Sequence, residues 1–299
     1  MCIICRDDYD PETLTELDCT GCYLTSLPDT LVNLTELRCS YCPNLTSIPD
    51  TLVNLTKLYC DNCLKITINT NLINLTHLYC WGCPEITSIP DTLVNLKVLN
   101  YFYCSELTFI PDTLVNLTYL ICSYCPKLTS IPNTLVNLTY LDCEKCPNLT
   151  FIPDTFVNLT ELRCSYCPNL TFIPDTFVNL TRLDCRYCRD ITYIPDTFVN
   201  LTSLYCHHCP RIVSVPDTLV KLTSLDCHCC KRIVSIPDDT LVNLKYFDFY
   251  KCPWLNSHHN PEYEKNVKKF KEDYDSLLSF SFSPFLTQKI VKYLASIEI

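Results

Sequence analysis

The sequence predicts an α/β solenoid: about twelve coils of ~21 residues, a parallel β-sheet on the concave face, short turn or helical convex segments, and a helical C-terminal cap. Three observations predict it. A segment of the form Leu-x-x-Leu-x-Cys-x-x-Cys-Pro-x-Leu-Thr-x-Ile-Pro-Asp-Thr-Leu-Val-Asn recurs in phase, one copy running from Leu34 to Asn54 and the next beginning at Leu55. The second leucine of each copy, or Phe247 in the last, recurs every 20 to 22 residues from Leu17. Apolar positions inside each copy alternate as in a half-buried strand and then space out through a return segment. A period near 21 residues cannot bury its own apolar side chains alone, so neighbouring copies must stack.

Each element follows from a stretch of the repeat. In Leu34-x-x-Leu37-x-Cys39, Leu37 and Cys39 alternate with Glu36, Arg38 and Ser40, which predicts a short strand. Cys42 comes where the chain turns off that strand. Leu45 and Ile48 line the core, and Pro49 stops any long helix. Asp50-Thr51-Leu52-Val53-Asn54 returns the chain through a turn or a short helical piece. Two coils break the metre. The coil after Leu58 reads Ile66-Thr67-Ile68-Asn69-Thr70 without Ile-Pro, which predicts a local irregularity, and Asp239 is inserted beside Asp238. Residues 1–13 form an N-terminal cap segment, 14–255 the solenoid and 256–299 the C-terminal cap. Within that cap Asn260-Pro261 opens one predicted helix and Ser283-Pro284 a second.

This pattern resembles the leucine-rich repeat family over residues 12 to 255. Leu34-x-x-Leu37-x-Cys39-x-x-Cys42 matches the family's strand motif, with cysteine where asparagine often stands, and Leu45 to Leu52 is similar to its return segment. The paired cysteines with Ile-Pro-Asp-Thr-Leu-Val-Asn-Leu resemble, more narrowly, leucine-rich repeat proteins of giant amoeba-infecting DNA viruses. The resemblance implies a protein-interaction scaffold, with a host protein as partner if the viral likeness holds.

Composition excludes several function classes. The formal net charge of -10 repels phosphate backbones and argues against nucleic acid. Two glycines leave no phosphate-cradling loop or dinucleotide fingerprint. No apolar run approaches ~20 residues, so no membrane span is expected. Met1 to Cys5 runs into Arg6-Asp7-Asp8 without an apolar leader, so a cytoplasmic, reducing location is expected, in the host if viral. No enzyme activity and no cofactor are expected, because no nucleophile–base–acid arrangement stands out from the repeat. The recurrent Asn-x-Thr sequons at Asn33, Asn54, Asn116, Asn137 and Asn158 are by-products of Val-Asn-Leu-Thr.

The 25 cysteines include eleven Cys-x-x-Cys pairs. In register, the first cysteine takes a core position and the second an inward turn position, so both are expected as small buried hydrophobes with free thiols. Bridges between coils, such as Cys143 to Cys164, are conceivable but argued against by a reducing compartment. Cys2-Ile3-Ile4-Cys5 resembles the opening knuckle of a RING finger. The remaining ligands of that module are missing, which leaves a single zinc site from Cys2, Cys5, Cys19 and Cys22 as the alternative, within a ubiquitin-ligase-related adaptor. His207 and His228 share a column and, with Cys229, could hold a metal; variation of the repeat face is the reading adopted, and no metal is assigned.

Binding information lies where the repeat varies. The positions flanking the anchors form stripes across the sheet. One stretch is aromatic: Tyr79, Trp81, Phe102, Tyr103, Tyr119, Ile121 and Tyr124, with Tyr140 next along. The next is charged and mixed in sign: Asp142, Glu144, Lys145, Glu161, Arg163, Arg182, Asp184 and Arg186. Exposed aromatics beside arginines suit a protein hot spot, so the aromatic stretch is the candidate partner-binding site. A self-associating structural protein is the other alternative.

Overall fold

The structure is a computed structural model and describes residues 2–6, 9–249 and 251–253. A four-residue helix α1 (Ile3–Arg6) precedes twelve three-residue strands. These are β1 (Glu16–Asp18), β2 (Glu36–Arg38), β3 (Lys57–Tyr59), β4 (His77–Tyr79), β5 (Val98–Asn100), β6 (Tyr119–Ile121), β7 (Tyr140–Asp142), β8 (Glu161–Arg163), β9 (Arg182–Asp184), β10 (Ser203–Tyr205), β11 (Ser224–Asp226) and β12 (Tyr246–Asp248). They make one twelve-stranded sheet in sequence order. Every pairing is parallel, and anchor sits against anchor: Leu37 against Leu58, Leu120 against Leu141, Leu225 against Phe247. The described residues thus form a parallel β-solenoid of eleven turns between twelve strands.

The core lies behind the sheet. In β1 to β11 the central leucine is buried and its neighbours are not fully so, apart from Asp142, Asp184 and Asp226. Leu45, Ile48 and Leu52 fill the return side of one coil, and Phe156, Phe177 and Phe198 take the Leu52 position further along. The ladder does not stop at the strand ends. Cys143 N–H donates to Arg163 O at 2.8 Å, and Lys145 N–H to Ser165 O at 2.8 Å.

Side chains extend this pairing through the return segments. Asn54 Nδ2 donates to Val32 O at 3.0 Å, and the same bond recurs at Asn116, Asn137, Asn158, Asn179 and Asn200, each to a valine carbonyl one coil back. Thr113 and Thr155 add a hydroxyl bond to the preceding coil at 2.7 Å. The repeat keeps Asn and Thr because stacked irregular segments must satisfy their backbone carbonyls.

The return segments are turns. Among the described residues the only helical one is α2 (Asp238–Leu241), where the inserted Asp239 adds the residue a helical turn consumes. The expected irregularity after Leu58 is present: Asn69 stands in the column of Ile48, its Nδ2 donating to Ile48 O at 2.6 Å, while its Oδ1 is buried without a partner. The predicted C-terminal helices and the 255/256 boundary lie outside the described residues.

Candidate functional site

Two positions past each strand build a second row of side chains. The fourth residue after each anchor is left-handed throughout: Tyr41, Asn62, Tyr103, Tyr124, Lys145, Tyr166, Tyr187, His208, Cys229 and Lys251 have φ between 53° and 62°, and Gly21 and Gly82 have 71° and 68°. This conformation lets the residue's own amide join the ladder, as Tyr124 N–H does to Glu144 O at 2.8 Å, before the chain turns inward. The cost is backbone strain of about 1–2 kcal/mol for a residue with a Cβ. Sequence reasoning missed it. The signal was there, since both glycines of the chain fall at this one coil position.

The aromatic candidates occupy four columns, one before, one after, three after and four after the anchors. Tyr79 stacks on Tyr59 (centroids 4.8 Å apart, planes 5°) and Tyr119 on Tyr140 (4.2 Å, 8°), on the strands. Trp81, Phe102, Tyr103 and Tyr124 form a chain past the strand ends: Trp81 to Phe102 is 6.0 Å, Phe102 to Tyr124 4.9 Å and Tyr103 to Tyr124 6.0 Å. Ile121 lies half-buried on β6 and makes none of these ring contacts. Tyr103 is 60 % exposed, the others of the set half-buried. Trp81 Nε1 is buried without a hydrogen-bond partner.

The ring chain continues into the region read as charged. Lys145 Nζ donates to Tyr124 Oη at 2.6 Å and sits over the Tyr124 ring, 4.3 Å from its centroid. Beyond it Tyr166 stacks on Tyr187 (4.3 Å) and Tyr187 on His208 (4.6 Å). Tyr103, Tyr124, Lys145, Tyr166 and Tyr187, with prolines of the following turns, line an open groove of ≈ 740 Å³.

The mixed charges are largely spent on one another. Glu161 takes Arg163 at 2.8 Å and Arg182 at 3.2 Å, and Asp184 takes Arg186 at 2.6 Å. Ser165 Oγ donates its hydrogen to Asp184 (2.7 Å) and lies 3.0 Å from Glu144, and Ser123 donates to Asp142. Burial, with the nearby Asp142 carboxylate, pushes Glu144 above the usual carboxylate range.

The cysteines divide by role. Sγ of the second cysteine lies 2.8–3.3 Å from a backbone carbonyl of the preceding coil in all eleven coils that have one, from Cys42 on Cys19 O to Cys252 on Cys227 O. The second cysteine is therefore a polar partner and not only a small hydrophobe, because the turn leaves a buried carbonyl that needs a donor. Burial pushes the thiol of Cys80 well above its ordinary value, and the contact with Cys146, together with burial, does the same for Cys122. Cys22, in the first coil, instead meets Cys2 and Cys5, the three sulfurs lying within 4.8 Å of one another. Cys19 is buried and is not one of this group, so the four-cysteine site is a three-cysteine cluster. Cys5 is pushed up to about 11, chiefly by its contact with Cys2. Among the described residues no helix is long and apolar enough to cross a membrane.

The family model for the leucine-rich repeat matches residues 13–34, 33–55 and 158–180. No curated protein matches the chain by sequence. Among solved structures the chain is similar to the leucine-rich effector protein YopM from Yersinia pestis (20 % identity, 84 % of this chain and 68 % of that one, TM-score 0.65). It is also similar to a leucine-rich repeat protein of Leptospira interrogans (19 %, 83 % and 79 %, TM-score 0.55). A third is the functional domain of InlJ from Listeria monocytogenes, which includes a cysteine ladder (22 %, 79 % and 67 %, TM-score 0.51). At these identities the likeness establishes the leucine-rich repeat fold.

Proposed function

We propose that this chain is a non-enzymatic interaction scaffold that binds a protein partner on the concave face of its solenoid. The contact is centred on Trp81, Phe102, Tyr103 and Tyr124 and flanked by Tyr79, Tyr119, Ile121 and Tyr140. The observation that carries this reading is the continuous ring chain from Trp81 to Tyr124, held half-exposed while the neighbouring charges are neutralised among themselves. Large rings locked by their neighbours lose little side-chain entropy on binding, and their apolar faces gain from desolvation.

Affinity capture from cells of the native source tests it, comparing the wild type with Trp81→Ala/Tyr124→Ala. A partner held by the wild type and lost by a double variant with unchanged circular dichroism supports the reading. The same proteins held equally by both would sink it.

The convergence of Cys2, Cys5 and Cys22 favours a second reading, a ubiquitin-ligase-related adaptor with a partial zinc-binding N-terminus. Stoichiometric zinc that is lost in Cys2→Ser/Cys5→Ser, together with ubiquitin transfer, would separate it from the first.

A further inference from the structure

The far end of the ring ladder holds a different chemistry. In two other coils the aspartate that ends a strand accepts a hydroxyl from the preceding turn, Asp142 from Ser123 and Asp184 from Ser165 at 2.7 Å. Asp226, at the end of β11, is held by two imidazoles. His207 Nδ1 lies 2.6 Å from its Oδ2 and His228 Nδ1 2.8 Å from its Oδ1. Hydrogen bonds from both rings outweigh burial and hold this carboxyl below its ordinary range. A carboxylate accepts, so both Nδ1 atoms carry the hydrogen, and each Nε2 is left with its lone pair.

His208 and Cys229 complete the cluster. They stand at the left-handed position of successive coils, with φ of 56° and 60°. The His208 ring lies edge-on to that of His228, 5.2 Å between centroids. One ligand atom each from His208, His228 and Cys229 lie within 4.8 Å of one another, and all three residues are partly accessible. Around a tetrahedral ion with M–N near 2.0 Å and M–S near 2.3 Å, ligand atoms stand roughly 3.3–3.8 Å apart, so side-chain adjustment alone closes the gap.

We propose that His208, His228 and Cys229 form a binding site for one borderline divalent metal ion of the zinc class, with Asp226 orienting His228 from behind. Two nitrogens and one sulfur leave a fourth, solvent-facing position. Asp226 plays the part of the carboxylate that fixes tautomer and ring orientation at histidine metal sites. Cys229 differs from the other turn thiols. It projects from the left-handed corner and not into the core, where thiol hydrogens are committed to carbonyls. The site shares none of the residues proposed to bind a partner, although His208 stacks on Tyr187 at the end of the same ring ladder.

The test uses the full chain, reduced, in a Cys2→Ser/Cys5→Ser background that silences the N-terminal thiols. Cobalt is titrated in and zinc used to displace it. One equivalent of cobalt with a thiolate charge-transfer band, bleached by zinc, is expected. Cys229→Ser removes the band. His208→Gly, which suits the left-handed backbone and so preserves the fold, weakens binding at least about tenfold, and Asp226→Asn weakens it about 10–100-fold. No stoichiometric cobalt band, or one unchanged by both Cys229→Ser and His208→Gly, overturns the proposal.

Discussion

The thiol of Cys167 donates to the backbone carbonyl of Cys143 in the preceding coil, with Sγ 3.2 Å from O. Both groups are buried. Eleven such bonds run the length of the solenoid, and they explain an asymmetry inside the repeat. The second cysteine is present in all twelve coils, whereas the first is replaced by Tyr101 and Phe249. The first position mainly fills space, while the second must also donate a hydrogen.

Removing that donor has a definite expected result. Cys167→Ala leaves Cys143 O unpaired and opens a small void, and should cost about 1–3 kcal/mol. Cys167→Ser keeps a donor and should cost less than Cys167→Ala. Urea unfolding of the two variants decides it; equal losses would show that only the thiol's volume matters.

The left-handed column predicts a ranking of glycine substitutions. A Cβ on Gly21 meets nothing within 4 Å, so Gly21→Ala bears only conformational strain of about 1–2 kcal/mol. A Cβ on Gly82 also lies 2.7 Å from Asn62 Oδ1. Gly82→Ala should therefore melt lower than Gly21→Ala, and Gly82→Ala/Asn62→Gly, which removes the clash without adding strain at left-handed Asn62, should recover the difference.

The asparagine ladder is expected to carry stability in small equal steps. Asn158→Ala removes the bond to Val136 O and should cost about 0.5–1.5 kcal/mol. Asn158→Asp sets a carboxylate against that carbonyl and should cost more above pH 5 than below pH 3. Hydrogen exchange of the flanking coils reads both, and protection in the first coils should stay unchanged.

Two strand-end aspartates should respond oppositely to pH. Asp226 has a lowered carboxyl, because hydrogen bonds from His207 and His228 outweigh burial. Its stabilisation is present above the unfolded value of ~3.9 and is lost as pH falls through the lower folded value. Asp142 is raised, because burial outweighs Ser123 and Arg163. Its favourable contribution is full below ~3.9 and is lost as pH rises through the folded value. At pH 7, Asp226→Asn should destabilise and Asp142→Asn should stabilise, with both differences shrinking in acid. Thermal melts across pH 3–7 test the pair, and shifts of the same sign would refute the assignment.

The coil count, the strand positions and the buried face were legible in the chain because a solenoid writes its local contacts with a fixed period. Leu17 to Phe247 mark every strand centre, and the Asn69 irregularity and the Asp239 insertion show as breaks in the metre. The aromatic columns were legible for the same reason, since residues one period apart become neighbours. What the period does not encode is the direction of a backbone or the partner of a polar atom. The left-handed turn from Tyr41 to Lys251, the thiol bonds onto buried carbonyls, the self-neutralised charges around Glu161 and Asp184, and the capture of Asp226 by two histidines depend on how the strand, its turn and the next coil bring together atoms two residues or about 20 residues apart in the chain. Repetition set which side chains face one another. Stacking of one coil on the next decided which of them bond.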